Sequence, residues 1–230
     1  MPDNFVPPKR GGLGRWMRRL RRPAGLGLLR RTRPMSERWG SDRGTPLDRY
    51  YIERFLYAER AAIRGRVLEV KDAAYTVQFG NGVVTSDVLD VDSANPHATV
   101  IADLAAADAI PADRYDCIVL TQVLQLVFDV RAALAHVHRI LRPGGVLLMT
   151  VPAVSRTVDV GDYWRFTPVA CRTLAAEAFP GGRVTVQSHG NAFTGAAFLS
   201  GMAWEELSRR ELDYADERFP TLVTVRAEKG

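Results

Sequence analysis

The sequence predicts an α/β fold in which helices cover both faces of a doubly wound, mostly parallel β-sheet. Two observations support this prediction. From Arg66 onward, short apolar segments alternate with segments of helical periodicity, which is typical of a sheet built from strand–helix–strand units. Residues 115–120 are nearly all apolar, as expected for a parallel strand that is buried on both faces.

Seven segments have the length and apolar character of strands. We predict them at residues 66–70, 83–89, 99–102, 115–120, 146–151, 183–188 and 222–227. Asp129 should cap a helix that ends at the sequence Arg142-Pro143-Gly144-Gly145. Two further helices are predicted at residues 168–178 and 196–207.

Another helix is predicted before the first strand, at residues 45–64, where it would pack on the core as a capping helix. Thr45 and Pro46 have the residue types of a helix cap and of a first helical position. The large apolar side chains of this segment share one helix face: Leu47, Tyr50, Tyr51, Ile52, Phe55 and Leu56.

The net charge of +5 is unevenly distributed along the 230 residues. Residues 1–35 contain ten basic side chains and one acidic side chain, whereas the other residues contain 21 basic and 25 acidic ones. We therefore expect a basic, flexible N-terminal arm at 1–35 and a single, mildly acidic domain at 36–230. Because the domain itself is acidic, we expect a small molecule and not a nucleic acid as its partner.

The arm leaves two interpretations open. It is either a fraying tail or a short amphipathic helix that contacts a membrane or a partner protein, since Leu13, Trp16, Met17 and Leu20 share one face. No segment has the roughly 18 apolar residues of a membrane span, and none resembles a secretory signal, so we expect a cytoplasmic protein. The two cysteines exclude a disulfide scaffold, and the histidines lack the spacing of metal ligands, so we expect no metal.

Acidic residues lie at the ends of three successive predicted strands. Glu69 lies near the end of the first, Asp87, Asp90 and Asp92 cluster around the end of the second, and Asp103 follows the third. Ligands of open parallel sheets bind beyond the carboxyl ends of the strands, near the point where the strand order reverses. Since carboxylates can accept hydrogen bonds from ribose hydroxyls and from an adenine amino group, this ordered set predicts a nucleoside-containing ligand.

Three motifs give the sequence a resemblance to the class I S-adenosylmethionine-dependent methyltransferases over about residues 60–228. They are VLEV at 67–70, VIADL at 100–104 and HRILRPGGVLLMTVP at 138–152. The last is the most specific, because a helix that ends in L-R-P-G-G before an apolar strand is the family's usual route into its fifth strand. The resemblance implies a Rossmann-like, seven-stranded sheet with an antiparallel last strand, and S-adenosylmethionine as cofactor.

The family pattern, carried over position by position, implies a set of cofactor-binding residues. Glu69 would lie near the methionine portion of the cofactor or its water shell. Asp90 or Asp92 would hold the ribose. The positions implied for the adenine are Asp103 and Leu104, and those against the methionine portion are Thr121 and Gln122.

One position departs from the family pattern. The family has a glycine-rich turn after its first strand, because glycine lets the backbone approach the cofactor closely, but Lys71 stands where the first glycine is expected. Either the protein is a catalytically degenerate binding or scaffold protein, or it holds the cofactor differently. In the second case contacts would come from the segment 42–56: Arg43, Arg49 or Tyr51 toward the cofactor and Tyr50 toward the acceptor.

The segments 42–56, 161–168 and 211–229 resemble bacterial methyltransferases that are found beside glycosyltransferases or in natural-product pathways. This narrower resemblance implies methyl transfer to a hydroxyl or amine of a small polar molecule, either sugar-containing or a natural-product intermediate. A nicotinamide-dependent enzyme is disfavoured because no G-x-G-x-x-G follows the first strand. An RNA-modifying enzyme is disfavoured by the acidic domain.

A hydroxyl acceptor would benefit from a general base, and two residues are candidates. His189 follows the sixth strand, and the unperturbed pKa of histidine lies near neutrality. Asp162 lies in the loop after the fifth strand. The same residues could instead be structural, with His189 packed in the core and Asp162 paired with Arg165. The residues expected to bind the acceptor are Tyr50, Tyr163, Trp164, Arg165 and Asn191.

Overall fold

Seven strands form one mixed sheet in the computed structural model, which describes residues 31–158 and 161–230. The strands are β1 (Gly65–Val70), β2 (Val83–Asp90), β3 (Val100–Ile101), β4 (Tyr115–Thr121), β5 (Leu141–Pro152), β6 (Arg183–His189) and β7 (Leu222–Glu228). Their order is β3-β2-β1-β4-β5-β7-β6. Strand β7 runs antiparallel to β5 and β6, and the other pairs are parallel. The predicted fold class is therefore confirmed.

Six α-helices accompany the sheet among the described residues: α1 (Leu47–Ala58), α2 (Ala74–Phe79), α3 (Val130–Ile140), α4 (Pro168–Ala178), α5 (Ala192–Leu199) and α6 (Arg209–Asp213). The predicted cap of α3 is confirmed, since the Asp129 carboxylate accepts a hydrogen bond from the Ala132 amide. None of these helices is long and apolar enough to cross a membrane. Residues 1–30, which contain most of the predicted basic arm, lie outside the described residues.

Two helices have other bounds than predicted, since α1 ends at Ala58 and not at residue 64, and α5 differs at both ends. The helix expected at 196–207 is α5, which lies earlier and ends at Leu199. Gly201 follows it with a φ of +75°, and a Cβ there would lie only 2.3 Å from the Ser36 carbonyl oxygen. This is the usual position of a helix-terminating glycine. Thr45 does not cap α1, because its Oγ1 donates instead to Glu205 Oε1 at 2.6 Å.

The sheet separates two apolar layers, and β4 supplies side chains to both. Ile118 and Leu120 pack in the layer that contains α3 and α4, whereas Cys117 and Val119 pack in the layer that contains α1 and α5. Successive residues of a strand point to opposite faces. A central strand covered on both faces therefore has to be apolar throughout, which explains why residues 115–120 show no alternation.

Candidate cofactor and acceptor site

The strand order reverses between β1 and β4, which lie side by side at the centre of the sheet. A cleft of about 280 Å³ opens at the carboxyl ends of these strands. Its lining comes from the ends of β1, β4 and β5 and the residues that follow them, from the start of α1 and the segment before it, and from the end of α5. The cleft thus occupies the position at which ligands of doubly wound sheets bind.

The residues directly after β1 and β4, Lys71 and Gln122, line this cleft and take positive φ values of 78° and 55°. Such a backbone favours glycine, and another residue pays roughly 1–2 kcal/mol for it. Asn95 stabilises the turn after β1, since its Nδ2 donates to the Lys71 carbonyl oxygen at 2.7 Å and to Asp90 Oδ2 at 2.6 Å. The backbone after β1 therefore keeps a glycine-type turn, although its residue is a lysine.

Glu69 is 2% exposed and connects β1 to α2. Its carboxylate oxygens accept hydrogen bonds from the backbone amides of Tyr75 at 3.1 Å and Thr76 at 2.7 Å. Burial raises the pKa of this carboxyl, against the opposing effect of the hydrogen bonds from Thr76. Glu69 thus holds the start of α2, a helix that the sequence did not predict, and in this way fixes the loop beside the cleft.

The acids predicted to hold the adenosine portion follow β2 and β3. Asp90 Oδ1 accepts from the Asp92 amide at 3.0 Å, and this hydrogen bond lowers the pKa of Asp90. Asp92 is exposed and accepts from the Ala94 amide, and Asp103 caps a short 3₁₀ helix. Leu104 is buried in the core, so its side chain faces away from the surface. Three carboxylates therefore remain accessible along this edge.

Arg43, Tyr50 and Tyr51, which were predicted to contact the cofactor or the acceptor, make their polar contacts outside the cleft. Arg43 pairs with Glu206, Tyr50 donates from its hydroxyl to Asp213 Oδ1 at 2.5 Å, and the Tyr51 hydroxyl donates to the Leu212 carbonyl oxygen at 3.0 Å. These partners all belong to the segment between α5 and β7. The three side chains thus attach α1 and its flank to this segment, because their polar ends are used there, and none of them lines the cleft.

His189 and Asn191 also lie outside the cleft lining. The His189 ring stacks on Tyr51 at 5.7 Å between centroids, and its Nε2 lies 2.9 Å from Thr224 Oγ1. Asn191 is buried and caps α5, while its Nδ2 donates to two backbone carbonyl oxygens, those of Glu211 and Tyr214. Every polar atom of the Asn191 side chain is thus paired with backbone groups of the described residues, and the contact of His189 and Asn191 with the acceptor stays a prediction.

We expect acid to destabilise the protein through His189. Burial lowers the pKa of His189 to about 4, so the unfolded chain takes up a proton there at higher pH than the folded chain. Stability is therefore lost as the pH falls from about 6.5 toward 4, by roughly 2 kcal/mol between pH 7 and pH 5. Urea unfolding at both pH values should show a smaller decrease for His189→Gln. An equal decrease in the variant would contradict this assignment.

The loop after β5 carries the predicted acceptor-binding residues. Arg165 Nη2 donates to Asp162 Oδ2 at 2.8 Å, and both residues line the cleft. The pair lowers the pKa of Asp162, which makes its carboxylate a poor base. Tyr163 and Trp164 are exposed beside the cleft and form an aromatic cluster with Phe128, whose ring centroid lies 5.3 Å from that of Tyr163.

Among the cleft residues that the sequence interpretation missed, two have polar side chains with an unusual environment. Asp48, in the first turn of α1, and Gln125, after β4, each have a buried side-chain oxygen with no hydrogen-bond donor among the described residues. In the sequence, Asp48 looks like any acid in a first helical turn, and only the cleft beside it makes it exceptional.

Among residues 31–158 and 161–230, no three His, Cys, Asp or Glu side chains come together as a metal site. Thr121 is half-buried at the end of β4, next to Gln122.

Residues 63–198 match a protein-family model described as a methyltransferase domain. Because the match covers more than half of the chain, the protein belongs to this methyltransferase family. A comparison with curated proteins gave no match.

Solved structures show the same fold at low sequence identity. A SAM-dependent methyltransferase from Archaeoglobus fulgidus superposes with a TM-score of 0.53 at 12% identity, over 79% of this chain and 94% of that one. One from Mesorhizobium loti gives 0.50 at 16% identity, over 80% and 98%. The [4+2]-cyclase SpnF gives 0.51 at 17% identity, over 81% and 83%. Since a cyclase shares the fold, the fold alone does not identify the reaction.

The family match, together with the site, identifies the chain as an S-adenosylmethionine-dependent methyltransferase. The residues present fit this cofactor. An ionised carboxylate ends β2, the turn after β1 has the glycine-type backbone, and the cleft holds buried acceptors that have no donor within residues 31–158 and 161–230. Lys71 therefore does not remove the loop geometry that the family needs.

Proposed function

We propose that the protein methylates a hydroxyl or an amine of a small polar molecule, either a sugar-containing compound or a natural-product intermediate. The observation that carries the proposal is the cleft at the reversal point, flanked by the exposed aromatic cluster of Phe128, Tyr163 and Trp164. Aromatic faces beside hydrogen-bonding groups suit a sugar ring or a polar aromatic ring.

In this proposal the carboxylate edge and the cleft have separate roles. Asp90 or Asp92 accepts hydrogen bonds from the ribose hydroxyls, and the backbone around Asp103 and Leu104 faces the adenine. Gln122 and Thr121 border the methionine portion, and Lys71, a residue of the cleft lining, pairs through its ammonium group with the carboxylate of that portion. Lys71 would then bind the cofactor through its charge at the position where the family has a glycine.

Methyl transfer is an in-line displacement that depends on alignment and on the exclusion of water. The bound cofactor supplies a methyl group on a positively charged sulfur. The chain supplies the walls: α1 covers one side of the cleft, and the loop after β5, held by the ion pair of Asp162 and Arg165, covers another. These residues orient the acceptor and keep water out.

Calorimetric titration and turnover test the proposal together. We expect S-adenosylhomocysteine to bind wild-type protein with a micromolar Kd, and a panel of nucleotide sugars and glycosylated phenols to yield methylated products detectable by mass spectrometry. Absence of heat at millimolar S-adenosylhomocysteine would favour the scaffold alternative and contradict the proposal. Binding without turnover on any hydroxyl or amine acceptor would contradict the acceptor class alone.

Two further statements remain predictions: that no nucleic acid is a partner, and that the protein is cytoplasmic. Deletion of residues 1–35 tests the first. We expect unchanged turnover on a small acceptor and equally weak RNA affinity before and after the deletion, because the remaining domain is mildly acidic. A loss of turnover together with a loss of RNA binding would indicate an RNA substrate.

A further inference from the structure

Two carboxylates line the cleft, and they differ in what surrounds them. Asp162 has a buried side chain that accepts hydrogen bonds from Arg165 and from the Val158 amide. It is therefore fully occupied in holding its loop. Asp48 lies on α1, and part of the residue reaches solvent, but its Oδ1 is buried without a donor among the described residues.

A buried acceptor without a donor destabilises a fold, so the Asp48 carboxylate is a feature that the fold alone does not explain. Gln125 presents a second buried acceptor in the same cleft. Its Nε2 donates to the Gln122 carbonyl oxygen, while its Oε1 has no donor among the described residues. Two unpartnered acceptors in one cleft fit a ligand that brings hydrogen-bond donors. Burial also raises the pKa of Asp48, which makes its carboxylate a stronger base than an exposed one.

The charges of the cleft favour a neutral donor over an ammonium group. Arg49, Lys71 and Arg156 line the cleft with Asp48, while Asp162 and Arg165 neutralise each other. The excess of cations opposes an acceptor that carries a positive charge. A hydroxyl brings a donor without that repulsion, so it is the acceptor group that suits Asp48.

We propose that Asp48 is the proton acceptor for a hydroxyl substrate, which makes the reaction an O-methylation. This inference rests on the proposed function. The acceptor oxygen forms a bond to the methyl carbon while the methyl–sulfur bond breaks and its electron pair stays on sulfur. The hydroxyl proton moves to the Asp48 carboxylate and is later released to water. Gln125 Oε1 accepts a hydrogen bond from another donor of the substrate and orients it.

Two cofactor analogues test Asp48 without knowledge of the acceptor. Sinefungin carries an amine at the position of the transferred methyl group, whereas S-adenosylhomocysteine carries nothing there. A carboxylate that faces the reacting oxygen also faces this amine. We therefore expect Asp48→Asn to reduce the preference for sinefungin over S-adenosylhomocysteine about tenfold, while the Kd of S-adenosylhomocysteine changes less than twofold.

Glu53→Gln is the matched control, because it removes a carboxylate from the same helix but not from the cleft lining. It should leave both Kd values unchanged. An equal loss of affinity for both analogues in Asp48→Asn would mean that Asp48 binds a part that the two analogues share. An unchanged preference with unchanged affinities would mean that Asp48 does not face the methyl position. Either result overturns the inference. Asp48→Ser repeats the test if the asparagine variant does not fold. Failure of wild-type protein to bind either analogue would overturn the proposed function itself.

Discussion

Asp90→Ala is expected to weaken S-adenosylhomocysteine binding 10- to 100-fold. Asp90 ends β2 at the carboxyl edge of the sheet, where we propose that the cofactor binds, and hydrogen bonds from Asp92 and Asn95 keep its carboxylate ionised. Loss of a charge-assisted hydrogen bond to the ribose costs roughly 1–3 kcal/mol, which corresponds to about a 5- to 150-fold loss of affinity and includes the expected range. The Kd from isothermal titration measures the effect directly.

Asp92→Ala separates the two carboxylates that the sequence could not distinguish. Asp92 is exposed and accepts a hydrogen bond from the Ala94 amide, so its removal should change the Kd less than threefold. A large loss with Asp92→Ala and none with Asp90→Ala would assign the ribose to Asp92 instead. If neither variant changed the Kd, neither residue would hold the ribose.

Glu69→Ala is expected to destabilise the protein by about 2–4 kcal/mol, because it empties buried volume and leaves two amides of α2 without acceptors. Urea unfolding followed by circular dichroism measures this loss. Cofactor affinity should fall as well, since α2 and the turn at Lys71 are connected to the same strand end.

Glu69→Gln provides the control for charge. Its amide oxygen can still accept one of the two hydrogen bonds, so we expect it to lose less than half as much stability as Glu69→Ala. Equal losses would indicate that the negative charge, and not the hydrogen bonds to α2, provides the stabilisation. A stability loss below about 0.5 kcal/mol in Glu69→Ala would contradict the role assigned to this residue.

The strands could be predicted from the sequence because their apolar character is local. Residues 115–120 and 146–151 are nearly all apolar and place apolar side chains on both faces, which requires a sheet covered by helices on each side. The end of α3 was predictable too, since a proline and two glycines follow it. In contrast, the end of α5 was missed although Gly201 marked it, because the apolar pattern beyond the glycine continued with helical spacing.

The functional residues were harder to predict, because an acid or a histidine at a strand end has the same local sequence pattern whether or not its side chain is bound to another part of the protein. The sequence favoured His189 and Asp162 as bases and did not single out Asp48. The first is stacked on Tyr51, the second is paired with Arg165, and the third has an oxygen without a donor among the described residues. These differences arise from partners that are far away in the chain.

The sequence by itself determined the fold class, the methyltransferase resemblance and the set of acids at the sheet edge, because these depend on periodicity and on residues within one strand and its loop. Only the tertiary structure decided which of those side chains are occupied. It also changed the meaning of Lys71, whose φ of 78° keeps the glycine-type turn that the residue type argued against. The physical reason is that hydrogen-bond partners and burial are set by the packing of α1 and the loop after β5 around the cleft, contacts that no local pattern encodes.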